Sequence, residues 1–257
     1  MKYAILGKTD ALSEQLKERI KTIMNKAIYD KQSPDIVFTI GGDGTALRAV
    51  NQYSYRLDKT VFLTINTGNL GFFTNFLPSD IKQIEKLLKE EIRKEYFSLI
   101  EYRVKTKEEL FSGLALNEIT ISNPPKVSFL TVEIDNEHFE SFKGTGLLVS
   151  TPIGSTAYNK SLGGAVIDPS LITLQLTEIS SINSNSYKTL GSSLVICGSK
   201  KISIKGTAQS PYLFTADFLQ RRINDLEEIE IKIAEQKVAI VKTDTKTFFD
   251  RVKKAFL

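Results

Sequence analysis

Residues 1–94 alternate between two hydrophobic periods. The apolar run 2–6 has the length of a strand, and residues 10–28 then place Leu12, Leu16, Ile20, Ile23, Met24 and Ala27 on one face at helical spacing. Two further β-branched apolar runs, 35–40 and 61–65, read as the second and third strands. Residues 79–93 return to the helical period with Ile81, Ile84, Leu87 and Leu88 inward. Strands and helices alternating through short loops predict a parallel sheet with flanking helices. Ligands of such sheets collect beyond the carboxyl ends of the strands.

From Tyr96 onward the helical period nearly vanishes. Segments 126–134, 141–150, 193–197, 201–205 and 227–242 carry short alternating or apolar runs broken by Gly, Asn and Pro. Glu228-Ile229-Glu230-Ile231-Lys232-Ile233 alternates strictly, with the isoleucines on one face. The closing stretch 245–257 is helical again, with Phe248, Phe249, Val252 and Phe256 as a stripe. The pattern predicts an α/β N-terminal domain over 1–95 and a β-rich, sandwich-like C-terminal domain over 96–242. A C-terminal helix within 243–257 is expected to pack back on the first domain. There is no internal repeat, low-complexity tract or long linker.

Composition narrows the function without choosing it. A chain of 257 residues lies near the upper limit for one core. The net charge of +4, from 34 basic and 30 acidic residues, favours anionic nucleotides slightly but is too small and dispersed for nucleic-acid binding. No window is apolar enough for a membrane span, and the N-terminus starts as a strand rather than a signal peptide. The single cysteine, Cys197, cannot form an internal disulfide, and a reducing cytoplasm is the simplest inference. One cysteine and one histidine, His138, exclude a zinc site of the usual ligand type. Asp135-Asn136-Glu137-His138 reads as a hairpin turn, which puts His138 at the surface. Gly7-Lys8-Thr9 follows a strand, but the glycine a P-loop needs five residues earlier is Lys2.

Three motifs carry chemistry. Ile40-Gly41-Gly42-Asp43-Gly44-Thr45 joins a strand to a predicted helix. Its glycines let the backbone approach a ligand, and a helix start offers unpaired N–H groups to phosphate oxygens. A carboxylate repels phosphate, so Asp43 needs a different role, either orienting a hydroxyl nucleophile or holding Mg²⁺. Ser150-Thr151-Pro152-Ile153-Gly154-Ser155-Thr156-Ala157-Tyr158 packs four hydroxyls around Gly154 after an apolar strand, which suits ribose and base edges. Leu116-Asn117-Glu118 ends an apolar segment with an amide beside a carboxylate. Each motif taken alone is also compatible with ordinary turn chemistry.

Together, in this order and spacing, Gly41–Thr45, Asn117-Glu118 and the 151–158 run resemble the signatures of the NAD kinases, and Asn66-Thr67-Gly68-Asn69-Leu70-Gly71-Phe72-Phe73-Thr74 resembles that family's further glycine-rich loop. The resemblance covers Ile36 to about Phe218 and is most like the shorter bacterial enzymes. It implies NAD as substrate, ATP as donor with polyphosphate left open, and the 2′-hydroxyl of the adenosine ribose as acceptor. Asp43 would accept or orient the hydroxyl proton, and Gly42 and Gly44 would lie on phosphate. Mg²⁺ would be held mainly through substrate phosphates, with no dedicated protein metal site. Asn117 would face adenine and Glu118 a ribose hydroxyl. Thr156, Ala157, Tyr158 and Ser161 would wrap the adenosine, with Phe72 at its flank. Ser180 and Ile182 fall in a segment that resembles one lining the nicotinamide side, partly across a subunit contact, and a homotetramer follows by analogy.

The chain departs from the pattern at Phe142-Lys143-Gly144-Thr145-Gly146. Thr145 stands where the family usually has Asp, and Lys143 where it usually has Arg. Lys143 keeps a cation near the pyrophosphate but loses bidentate geometry. The Thr145→Asp variant is expected to bind NAD more tightly; a titration showing weaker or unchanged affinity contradicts this. Two rivals share the first motif or none of the chemistry: a diacylglycerol-type lipid kinase, and a module that senses NAD without turnover.

Overall fold

The computed structural model describes residues 1–68, 71–183, 185, 188–207, 211–243 and 247–257. Two compact units divide the chain: Met1–Phe97 with Gln236–Leu257, and Ser98–Glu235.

In the first unit, β1 (Lys2–Gly7), β2 (Ile28–Tyr29), β3 (Ile36–Ile40) and β4 (Val61–Ile65) form a parallel sheet in the order β4-β3-β1-β2. All five residues of β3 are buried, as expected of a central strand covered on both faces. Helices α1 (Ala11–Ile23), α2 (Asp43–Gln52) and α3 (Ile81–Leu87) fill the connections. Leu16, Ile20, Phe38, Ile40, Ile65 and Ile84 belong to one apolar core.

Local differences from the sequence pattern have identifiable causes. Asp10 caps α1, accepting from Ser13 N at 3.0 Å, so the buried face runs through Ser13, Leu16 and Ile20, while Leu12 is exposed. The helix stops at Ile23 rather than 28, because Ile28 and Tyr29 pair with β1 and the Tyr29 ring meets Tyr3 edge-on at 5.3 Å. Tertiary pairing overrides the helical period there. Residues 79–93 are not one helix either: a 3-10 turn, Pro78–Asp80, precedes α3, and Leu88 and Ile92 pack against the core from irregular chain.

The second unit is antiparallel. Its strands are β5 (Lys94–Thr106), β6 (Leu110–Ala115), β7 (Glu118–Ser122), β8 (Ser128–Ile134) and β9 (Glu137–Ser150). After the short helix α4 (Tyr158–Ser161) come β10 (Thr173–Ser181), β11 (Leu194–Cys197), β12 (Ile202–Gly206), β13 (Tyr212–Ala216), β14 (Leu219–Ile223) and β15 (Leu226–Val241). The strand order is β14-β13-β7-β9-β8-β12-β15, with β10 on β9 and β5 on β15. Tyr102 and Phe111 from the β5–β6 hairpin reach the Phe214 ring at 5.1 and 5.8 Å, which closes a second layer over the core. Ile229 and Ile231 are fully buried there, as their alternation predicts. Asp135 and Asn136, both at positive φ, form the β8–β9 turn, and His138 meets Ser141 Oγ at 3.0 Å on the exposed side.

The end of β15 returns to the first unit, where Ala239 pairs with Val61 of β4 in parallel. Helix α5 (Phe248–Phe256) follows, capped by Thr247 and Asp250; residues 245 and 246 of the expected helix lie outside the described residues. Phe249 is exposed, and the residue of α5 that is buried is Arg251. Among the described residues no helix is long and apolar enough to cross a membrane.

Candidate active site

In the first unit the chemistry gathers where β3 ends. Gly41 donates its N–H to Ile65 O at 2.9 Å, and a Cβ on it would run into the Thr45 side chain. A Cβ on Gly42 or Gly44 would meet nothing within 4 Å, so the loop presents open backbone. Asp43 is the first residue of α2. Its carboxylate accepts Phe72 N at 2.7 Å and Phe73 N at 3.0 Å, and a Cβ at Gly71 would collide with it. Burial pushes the Asp43 carboxyl above its ordinary value, while the two amides and the nearby Arg251 charge pull the other way. Phe72 lies against Phe248 and Phe256 of α5, with ring centroids 6.1 and 5.8 Å away. Asn69 and Leu70 of the glycine-rich loop lie outside the described residues.

In the second unit the Asn117 turn and the 151–158 run form one hydrogen-bonded body. Thr151 N donates to Asn117 O at 2.9 Å, Thr151 Oγ1 donates to Leu116 O at 2.6 Å, and Gly154 N donates back to Thr151 Oγ1 at 3.0 Å. Gly154 lies so close to the Asn117 backbone that no Cβ fits. Ser155 accepts Ile167 N at 2.8 Å, and Thr156 donates to Ile153 O at 3.0 Å. Ala157 ends that turn, and Tyr158 and Ser161 of α4 reach the surface. Among the described residues, Asn117 Oδ1 and Glu118 Oε2 are buried without a hydrogen-bond partner. Leaving such oxygens unpaired costs about 1–3 kcal/mol each. Asn123, Glu140, Thr173 and Ser203 also carry such atoms, and these two are set apart by being adjacent beside the 151–158 run, where a ligand supplying donors would satisfy both.

Burial, with the Asp217 carboxylate adding to it, pushes Glu118 up to about 8. Glu118 is therefore mostly a neutral acid at pH 7, able both to donate and to accept. Between its ordinary value of 4.5 and about 8 the folded state holds a proton that the unfolded state has lost, so stability falls as pH rises across that window. Glu118→Gln removes this dependence. The variant is expected to unfold at a higher temperature than the wild type at pH 8, with the gap shrinking toward pH 4.5. Thermal unfolding across that range checks it; a constant gap would count against a protonated Glu118.

Lys143 and Thr145 share one face of β9. The Lys143 ammonium sits 5.3 Å from the Phe129 ring centre, and Thr145 O accepts Asn123 N at 2.9 Å and Ser128 Oγ at 2.8 Å. Gly144 and Gly146 pair with Ser181 and Ile179, so the register sets Ser180 across from Thr145. Ser180 is held at φ 49°, a left-handed conformation uncommon for serine. Ile182 N donates to Lys143 O at 2.8 Å. Lys143 and Thr145, expected at the pyrophosphate and nicotinamide end, thus adjoin Ser180 of β10 and Ile182 just beyond it.

Two charged residues, half-buried Asp217 and buried Arg251, carry no mark in the sequence motifs. Asp217, at φ 51° in the β13–β14 turn, accepts Leu116 N at 2.8 Å, Asn117 N at 2.7 Å and Glu118 N at 3.3 Å. Arg251 sends its guanidinium to Phe72 O at 2.7 Å and to Gly71 O at 3.1 Å. A cation on the apolar face of a Phe-rich helix is the visible signal for Arg251; a turn aspartate gives none.

Residues 7–96 match the family described as ATP-NAD kinase N-terminal domain, and residues 116–243 match ATP-NAD kinase C-terminal domain. The chain is 38% identical to NAD kinase 1 of Oceanobacillus iheyensis, over 100% of this chain and 98% of the relative. It is 38% identical to an NAD kinase of Lysinibacillus sphaericus, over 100% and 99%. An NAD kinase from Archaeoglobus fulgidus, solved in complex with ATP, superposes with a TM-score of 0.75 at 25% identity, covering 100% of this chain and 97% of that one. Yeast NADH kinase complexed with NADH shares the fold, with a TM-score of 0.82 at 22% identity, over 98% of this chain and 85% of that one.

Proposed function

The chain belongs to the NAD kinase family, and from that premise we propose that it transfers the γ-phosphoryl group of ATP to the 2′-hydroxyl of the adenosine ribose of NAD, giving NADP and ADP. The observation that carries the reading is the pair of buried, unpartnered oxygens on Asn117 and Glu118 beside the Thr151–Gly154 hydrogen bonds. Asn117 would take the adenine amino edge, and neutral Glu118 would donate to or accept from a ribose hydroxyl. Thr156, Ala157, Tyr158 and Ser161 would enclose the adenosine. Lys143, Thr145, Ser180 and Ile182 would hold the pyrophosphate and nicotinamide end.

Asp43 would orient the attacking hydroxyl in line with the γ-phosphorus and accept its proton as the P–O bond to ADP breaks. Its pKa is raised from the usual carboxylate range, which makes it a somewhat better base, but positioning carries most of the effect. The open amides around Gly42 and Gly44 would stabilise phosphate charge. Magnesium would be carried mainly by the ATP phosphates, the usual way this ion is held in phosphoryl transfer. When bound it would neutralise phosphate charge. A cytoplasmic homotetramer completes the proposal, with the use of polyphosphate left open; Cys197 is a free, exposed thiol, which suits a reducing compartment.

The deciding assay is purified protein with ATP, Mg²⁺ and NAD, followed for NADP. Phosphorylated lipid without NADP would favour a lipid kinase, and NAD binding without product would favour a sensing module.

A further inference from the structure

Asp43 is held by two consecutive peptide groups, and both are gripped from the opposite side by one residue. In the Gly71–Phe72 peptide, the carbonyl accepts Arg251 Nη1 at 3.1 Å while the N–H donates to Asp43 Oδ2 at 2.7 Å. In the Phe72–Phe73 peptide, the carbonyl accepts the same Nη1 at 2.7 Å while the N–H donates to Asp43 Oδ1 at 3.0 Å. Arg251 also reaches Thr74 O at 3.2 Å and the Asn75 side-chain oxygen. Asn75 is anchored in turn on Val241 O and Thr64 Oγ1. The Phe72 ring rests on Phe248 and Phe256 of the same helix that carries Arg251.

We propose that Arg251 is a positioning residue for phosphoryl transfer, acting through these two peptide groups to fix the Asp43 carboxylate in its reactive orientation. The physical basis is polarisation as well as geometry. A carbonyl bonded to a cation makes the N–H of the same peptide a stronger donor. The planar guanidinium spreads its donors over two nitrogens, Nη1 on the carbonyls and Nη2 on the Asn75 side chain, and the single ammonium of lysine cannot reproduce that fork. Burying Arg251 is costly, and its guanidinium bonds carbonyl and amide oxygens of the loop that holds Asp43. The charges that act on it are Asp43 and Glu95, and Arg251 is the charge that acts on Asp43. Helix α5 is therefore part of the catalytic scaffold rather than a terminal ornament of the sheet.

This inference rests on the kinase reading, so its test has one arm that needs no turnover. The pKa of the Asp43 carboxyl is read by carboxyl-carbon NMR titration in the wild type, Arg251→Lys and Arg251→Met. It is expected to rise in both variants; an unchanged value overturns the proposal whatever the enzyme's substrate. In the NADP assay, Arg251→Lys is expected to lower kcat about 100-fold with little change in the KM for NAD, and to move the acid limb of the kcat/KM profile to higher pH. In the Asp43→Asn background the Arg251→Lys change is expected to cost almost nothing more, whereas a merely structural arginine gives additive losses. Additive losses, or full activity of Arg251→Lys, reject it. Should Arg251→Met fail to fold, Arg251→Lys alone decides.

Discussion

Asp43→Asn is expected to reduce NADP formation by at least about 100-fold, the low end for removing a positioned acid–base group, while NAD binding by titration stays near that of the wild type. The separation follows from where the groups sit. The residues proposed to hold adenine and ribose hang on Asn117, Thr151 and Asp217, and these bonds do not involve Asp43. The substitution is also more than a loss of charge. Each carboxylate oxygen accepts one peptide N–H, so an amide side chain must turn its NH₂ toward Phe72 or Phe73 and set donor against donor. Wild-type kcat/KM should rise with pH through an ionisation above the ordinary aspartate value, because burial outweighs the amides and Arg251. That limb should be missing in Asp43→Asn. A variant that keeps the wild-type rate, or keeps the acid limb, would remove Asp43 from the chemistry.

The turn that carries Asp43 was legible in the sequence because it is local: three glycines and an acidic residue stand between a β-branched run and a helix. The amides of Phe72 and Phe73 that hold the carboxylate were not, since they come from a distant loop. Gly154 stood out as the glycine of a hydroxyl-rich run, but the approach of the distant Asn117 backbone that requires it emerges only in the fold. The alternation of Ile229 and Ile231, local like the Asp43 turn, gave the buried face of β15. Asp217 was not legible, and Arg251 showed only as a cation on the apolar face of its helix, since both act mainly on peptide groups. Asp217 meets amides 99 to 101 positions earlier, and Arg251 meets carbonyls 177 to 180 positions earlier. Peptide groups carry no sequence signature, so contacts of that kind emerge only when the chain is folded. The helix boundaries at 28 and 93 failed for a related reason: strand pairing and core burial from irregular chain compete with local period, and tertiary context wins.

Asp217→Ala should have the largest effect of any single change in the second unit. The carboxylate is the acceptor for three consecutive amides, those of Leu116, Asn117 and Glu118, and alanine leaves all three buried donors unanswered. With partial entry of water, a loss of about 3 kcal/mol is expected, together with a fall in kcat/KM for NAD on the order of 10- to 100-fold as the Asn117 turn loosens. Asp217→Asn keeps one acceptor oxygen and should fall between alanine and the wild type. Both substitutions also act on Glu118, because the Asp217 charge adds to burial in holding its proton up to about 8. Removing that charge lets Glu118 ionise at lower pH, although burial remains the larger cause. The decline of stability with pH should then end below pH 8 in both variants. Chemical denaturation at pH 5 and pH 8 measures this directly. If Asp217→Asn loses stability while its pH dependence matches the wild type, the two carboxyl groups are not electrostatically joined, and Asp217 serves only as a clamp on the turn.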